Sequence, residues 1–524
     1  MRERPVLFVA FLEQDNLGVG YIASILLKNE IDVKIIDYRA GKRRILQQII
    51  HHNPSIIGFS IIFQYHIDDF RNLISYLRKH RVNCHFSAGG HYPSLRYTKL
   101  LDMIPGLDSV VLFEGEYTFL ELAQFIYAGK EWKQIEGIAY RDNGSVSANP
   151  LRPLEENLDN FPAPVRQPLK EYALGRKYAT LLAGRGCYYN CSFCSIREFY
   201  SKPKGSVKRV RRPEIVAREM ELLYQQKDCT VFMFQDDDFP VTTRRGKEWT
   251  ARFCELLAEK GLSDKILWKI NCRPDEIDAE LFKLMRDSGL FLVYLGIEHG
   301  TDDGLRLMNK RMTAETNIRA VNTLKKLGIS YDFGFMLFHP ATTFQSVVEN
   351  LDFLIKICGD GSSPITFCKM LPYAETKIEH ELRREGRLKG KPGFEDYDFL
   401  DPSLDRFYSF MTVCFGDWIG KHEGLLNAAR WTRYYSLVYS KYYPLTPAFR
   451  NLDRAADECI ARSNMLFIDT TRTLVDVFSS QRHRGDGSKA LKTIKSDIAA
   501  KHSQYRRKLI ENMNSIGTLV SAKL

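Results

Sequence analysis

The sequence predicts an α/β protein: a doubly wound parallel sheet first, then an incomplete (β/α)6 barrel, then a mainly α-helical domain. Three observations predict it. Apolar runs of strand length alternate with helix-periodic segments through residues 1–130, and the alternation returns over 176–383. Between them, a hairpin and a linker at 131–175 contain Pro150, Pro153, Pro162, Pro164 and Pro168 and show no periodicity after the hairpin. From 384 to 524, glycine turns give way to long aromatic-rich helical patterns. A chain of 524 residues also exceeds what one ordinary core can organise.

In the first part, strands are expected at 6–11, 33–37, 55–63, 83–88 and 108–113, and helices at 17–28, 45–51, 68–80 and 117–127. Asp142-Asn143-Gly144 turns a hairpin at 136–147. Ligands of such sheets lie beyond the carboxyl ends of the strands. There the sequence places Glu13 to Asn16, Ser60, Gly89-Gly90-His91 and Glu114-Gly115-Glu116. Glycine at these turns lets backbone approach a large flat ligand.

In the second part, strands are expected at 178–183, 230–235, 266–271, 291–297, 331–338 and 363–368, with helices at 214–225, 247–260, 279–288, 314–327 and 344–357. The first strand runs into Gly184-Arg185-Gly186-Cys187-Tyr188-Tyr189-Asn190-Cys191-Ser192-Phe193-Cys194. Three cysteines this close can converge on one inorganic centre from one loop. Zinc would need a fourth ligand for a closed structural site, and no fourth Cys or His lies near. A cubane iron–sulfur cluster held by Cys187, Cys191 and Cys194 keeps one iron open for a ligand. Other strand ends are polar: Asp236-Asp237-Asp238, Asn271-Cys272-Arg273, Gly296-Ile297-Glu298 and Leu337-Phe338-His339-Pro340. In the tail, helices are expected at 404–415, 424–442, 452–460, 463–478 and, basic and amphipathic, 489–508.

The C-x3-C-x2-C loop, with Phe193 before the last cysteine, resembles the signature of the radical S-adenosylmethionine (SAM) superfamily. That resemblance implies a [4Fe-4S] cluster whose open iron chelates SAM, and reductive cleavage to a 5′-deoxyadenosyl radical. It implies that Asp236 and Asp237 lie beside the SAM amino group, that Glu298 faces SAM, and that Met308-Asn309-Lys310 follows as in the family. The first 130 residues resemble the Rossmann-like cobalamin-binding domain of one class of the superfamily, on the order of elements, Ser60, Gly89-Gly90 and Glu114-Gly115-Glu116. Many cobalamin domains carry a cobalt-ligating histidine after the first strand. Here that loop reads Glu13-Gln14-Asp15-Asn16, without one. The resemblance implies a cobalamin-dependent radical SAM enzyme, foremost a methyltransferase acting on an unactivated carbon of a small-molecule or natural-product substrate. The alternative within the class is an oxidative cyclase or rearrangement enzyme. Either would draw on an external electron donor such as flavodoxin or ferredoxin.

Composition bounds the rest. No apolar run reaches 18 residues, so no membrane span is expected, and the N-terminal apolar run reads as a strand. Scattered cysteines fit a reducing cytoplasm. The formal charge is +11, and the densest basic stretch, 202–212, reads as a solvated loop or, since it follows the cysteine loop directly, as a contact for a phosphate or carboxylate of the substrate. Its charges are not interleaved with aromatics, which argues against nucleic acid as a partner, although a zinc-bearing, basic nucleic-acid-binding protein is the rival of another class.

Overall fold

The computed structural model describes residues 4–13, 15–480 and 487–521, so Gln14 of the expected ligand edge lies outside the described residues. The chain divides into two compact units, residues 1–169, 180–219 and 371–396, and residues 170–179, 220–370 and 397–524.

In the first unit, strands β1 (Val6–Ala10), β2 (Val33–Asp37), β3 (Ile56–Ser60), β4 (His85–Gly89), β5 (Ser109–Val111), β6 (Ile138–Asp142) and β7 (Ser145–Ala148) form one sheet in the order β2-β1-β3-β4-β5-β6-β7. The first five are parallel, and the β6–β7 hairpin continues the sheet antiparallel from β5. Leu7 and Val9 pack into one apolar cluster with Ile45, Phe70 and Leu73, while Val6, Phe8 and Ala10 pack into another with Val19, Leu26 and Leu122. Side chains of a strand alternate between faces, so a strand apolar on both sides must be covered on both. Each such buried side chain contributes about 1.5–3 kcal/mol. Asn16 caps the helix Leu17–Lys28 by accepting from Val19 N at 3.1 Å. The expected third strand at 55–63 stops at Ser60, and Ile61 N makes the last ladder bond, to Gly89 O at 2.8 Å.

The second unit holds a six-stranded sheet. Its strands are β8 (Lys170–Ala173), β9 (Arg176–Leu181), and, after two short strands of the first unit, β10 (Gly184–Arg185) and β11 (Arg209–Val210), β12 (Cys229–Phe234), β13 (Leu267–Cys272), β14 (Leu290–Glu298) and β15 (Ser330–Phe335). The order is β15-β14-β13-β12-β9-β8, with β8 antiparallel at the edge. This is the expected partial barrel. Its sixth strand, expected at 363–368, is reduced to a bridge between Phe338 and Lys369. Pro364 cannot donate to a ladder, and Ile365 N is taken by Asn464 Oδ1 at 2.9 Å. Outward residues Trp268 and Phe234 pack against Phe253 of the helix Arg244–Glu259, and Phe239 packs against Trp249 of the same helix.

The tail is helical over Pro402–Ile419, Leu425–Tyr442, Pro447–Ser479 and Gly487–Ser521. The two helices expected at 452–460 and 463–478 are one, since Ala461 and Arg462 between them are good helix formers.

Candidate active site

The cysteine loop belongs to the first unit. β10 pairs antiparallel with β11, Gly184 opposite Val210 and Arg185 opposite Arg209. Gly186 has φ +79°, and a Cβ there would fall 1.8 Å from Val207 O, so only glycine lets the chain enter the loop. Cys187, Cys191, Phe193 and Cys194 are half-buried, and Cys194 N donates to Cys191 O at 3.2 Å. Ser192 O accepts from Ile378 N at 3.1 Å, which pins the middle of the loop. Just before it, Arg185 donates to Glu114 at 3.0 Å and Glu116 at 2.6 Å and lies over the rings of Tyr21 and Phe161. Burial raises the Glu114 carboxyl, but the guanidiniums of Arg185 and Arg209 outweigh it and hold the group below its ordinary value. Among the described residues, no three His, Cys, Asp or Glu side chains are gathered on one metal ion. In a cubane each thiolate takes its own iron, so three soft, partly open thiols on one loop fit such a cluster.

At the carboxyl edge of the first sheet, Ser60 Oγ is 3.4 Å from Asn16 Nδ2. Gly89 has room, since a Cβ would meet only Val111 O at 3.6 Å. Gly90 is required by the chain itself: its φ is +126° and a Cβ would lie 2.4 Å from Ile61 O. Gly115 is packed against Ile22 and Val111, and Glu116 is buried on Arg185. Ile62, Phe63 and Tyr65 are exposed beside Ser60, giving this edge the apolar surface a corrin ring would cover. The histidines near the edge are engaged: His66 with Asp69 at 2.7 Å and stacked on Phe11, His91 against Phe199.

In the second unit, the polar strand ends meet the barrel lumen. Asp236 is buried and Asp237 exposed, because consecutive residues leaving a strand point to opposite sides. Asp236 O accepts from Asn271 Nδ2 at 3.0 Å. Asp238, also buried, accepts from Thr242 Oγ1 at 3.5 Å. Glu298 ends β14 at a register shift, with φ +65°. Its carboxyl is pushed up by burial, against the pull of Lys310, whose Nζ lies 3.7 Å away, and of Arg273. A carboxylate and an ammonium in this lumen can hold the charged ends of an amino acid. His339 fills its turn: it is buried, accepts from Ala341 N at 3.2 Å and meets the His299 ring edge-on.

The basic stretch 202–212 is only in part the solvated loop expected: Lys202, Lys204 and Arg212 are exposed. Lys208, Arg209 and Arg211 are buried, Arg209 on Glu114 at 2.9 Å and Arg211 on Glu219 at 2.8 Å. The partners are distant in sequence, so composition alone counted these charges as surface.

Two family models match the chain, the B12 binding domain over residues 3–123 and the Radical SAM superfamily over residues 181–354. The uncharacterized methyltransferase PH0819 of Pyrococcus horikoshii is 30% identical over 396 residues, covering 74% of this chain and 82% of that protein. An anaerobic magnesium-protoporphyrin IX monomethyl ester cyclase of Rubrivivax gelatinosus is 30% identical over 327 residues, 60% of this chain and 56% of that protein. The solved structure of OxsB, a cobalamin-dependent SAM radical enzyme with aqua-cobalamin and SAM bound, superposes with a TM-score of 0.70 at 17% identity, covering 99% of this chain and 79% of that one. A three-cysteine loop, a half-barrel and a B12-type sheet in one chain define a class, radical enzymes that combine SAM with cobalamin. The chain belongs to the cobalamin-dependent radical SAM family, and its cofactors are a [4Fe-4S] cluster, SAM and cobalamin. No helix among the described residues is long and apolar enough to cross a membrane.

Proposed function

We propose that the enzyme transfers a methyl group from SAM to an unactivated carbon of a small-molecule or natural-product substrate. The observation that carries this reading is the likeness to a methyltransferase spanning 82% of that relative's length. When bound, the cluster and SAM supply a hydrogen-abstracting radical and cobalamin supplies a methyl carrier.

The chain's own residues position these groups. Cys187, Cys191 and Cys194 hold the cluster, with Phe193 beside the last of them in the loop. Asp236 takes the SAM ammonium, helped at the rim by Asp237, and Glu298 with Lys310 orients the rest of the amino acid. Ser60, Gly89 and Gly90 border the corrin, while Gly115 and Glu116 shape the turn behind it. The division into a cobalamin domain at 1–130, a barrel at 176–383 and a helical domain from 384 belongs to the same reading. So do an external donor such as flavodoxin or ferredoxin and a reducing, cytoplasmic setting.

The test is incubation of the reduced, cofactor-loaded protein with cell extract and methyl-labelled SAM. A small-molecule product carrying the label is expected. A product formed in good yield without label supports instead the cyclase reading, which the Rubrivivax relative favours.

A further inference from the structure

Next to the residues assigned to SAM, the barrel lumen of the second unit carries a charged layer. Its floor is apolar: Val231, Leu267 and Leu292 pack against Val438, Trp431 and Tyr434 of the helix Leu425–Tyr442. Directly above, on the same face of β13 as Leu267, stands Lys269. Its ammonium donates to one neutral group, Asn271 Oδ1, at 2.5 Å, and lies 5.7 Å from the Tyr294 ring centre. Asn271 is in register with Tyr294, and Tyr294 with Asp332, so these three form one layer across β13, β14 and β15.

The cations of this layer share few hydrogen-bonded counter-charges. Asp332, 3% exposed, receives the Tyr434 hydroxyl, Arg433 Nη1 at 3.5 Å and Arg430 Nε at 3.9 Å. Asp332 thus faces two guanidiniums; Arg433 also interacts with Asp457, whereas Arg430 Nε is buried with no hydrogen-bond partner. Burying a cation or a donor without a partner is costly, so such groups persist where a ligand completes them.

Gly296 and Gly334 stand above the layer, and their lack of side chains makes room for the Tyr294 hydroxyl and the Glu298 carboxyl: a Cβ on Gly334 would lie 2.9 Å from Tyr294 Oη and 3.3 Å from Glu298 Oε2. Tyr294 is 37% exposed although it points inward, as is the rule for a side chain lining a lumen and not for one in a packed core.

We infer that this layer is an anion-binding subsite, in which Lys269, Asn271, Tyr294 and Arg430 receive a carboxylate or phosphate group of the substrate. The inference deepens the proposed function and rests on it for the identity of the occupant. Burial pulls the Lys269 amine down to about 8, against the pull of Asp332 and Asp236, with Arg430 adding to the fall. The enzyme thereby selects substrates that carry an anionic group.

The test uses the full chain without cofactors, titrated calorimetrically with inorganic phosphate and with acetate at constant ionic strength. Wild type binds one equivalent saturably, and the preferred anion distinguishes a phosphate from a carboxylate. Lys269→Met weakens binding at least tenfold, Arg430→Met several-fold, and Lys269→Arg less than threefold. Should Lys269→Met fail to fold, Arg430→Met carries the test. Absence of saturable binding, or variants that bind like wild type, overturns the subsite. In cluster-reconstituted protein, SAM leaves phosphate bound; competitive displacement would assign the anion to the SAM carboxylate and overturn the substrate assignment. Anion binding is read without turnover, so failure of methyl transfer and failure of the subsite are separate results.

Discussion

Replacement of Arg185 by Met removes the cation beneath the cysteine loop. Arg185 is joined to Glu114 and Glu116, with side-chain exposures of 10% for Arg185 and Glu114 and 4% for Glu116. Glu114 keeps two contacts from Arg209 at 2.9 Å. Glu116 is left buried without a counter-charge. Breaking one side of a buried pair costs about 3–5 kcal/mol. At about 2–4 °C per kcal/mol, the melting temperature of the first unit falls by roughly 6–20 °C. Calorimetry on the full chain reads this. Arg185→Met/Glu116→Gln is less unstable than the sum of the single changes, with a coupling of about 1–3 kcal/mol. Glu114 is depressed in the fold, so the pair stabilises above the unfolded carboxylate range and its contribution is lost as the pH falls through the folded value. The difference between wild type and variant therefore narrows below about pH 4. A melting point within 2 °C of wild type, or strict additivity of the two changes, would refute the reasoning.

Other predictions follow from the same geometry. Burial lowers His85 to about 4, His299 to about 3 and His339 to about 4, so each favours the neutral form in the fold. Stability is complete above about pH 6.5 and declines toward pH 4, each histidine adding up to about 1.4 kcal/mol per pH unit; His299→Asn should flatten melting temperature against pH, and an unchanged slope would contradict the assignment. Gly90→Ala lowers the melting temperature by several degrees because its Cβ meets Ile61 O, whereas Gly89→Ala changes it by less than 2 °C yet weakens cobalamin retention, measured by equilibrium dialysis. Cys191→Ala abolishes the broad visible charge-transfer absorption of anaerobically iron-loaded protein; retention of that absorption would remove the cysteine from the ligand set.

The helices Leu17–Lys28 and Ala314–Leu327 and the strand Val33–Asp37 were legible to the residue, because apolar periodicity and flanking caps agree there. The cysteine loop was legible because its ligands are neighbours in sequence. β8 was hidden in the proline-rich linker, and the sixth barrel strand was over-read because its apolar run serves packing and not a ladder. Contacts across long separations were not legible: Arg185 with Glu116, Arg166 with Asp15 at 3.0 Å, and Asp332 with Arg433. Nothing local distinguishes such a charge from a surface one, and only the fold makes it a buried partner. Lys310 lay in a motif read from the sequence, yet its pairing with Glu298 needed the turn after β14.

The central claim is tested most directly by anaerobic incubation of the iron-loaded, chemically reduced protein with SAM, followed by mass spectrometry for 5′-deoxyadenosine. The account predicts its formation by wild type and its loss in Cys187→Ala, Cys191→Ala and Cys194→Ala. Intact SAM after incubation with fully cluster-loaded wild type would contradict it.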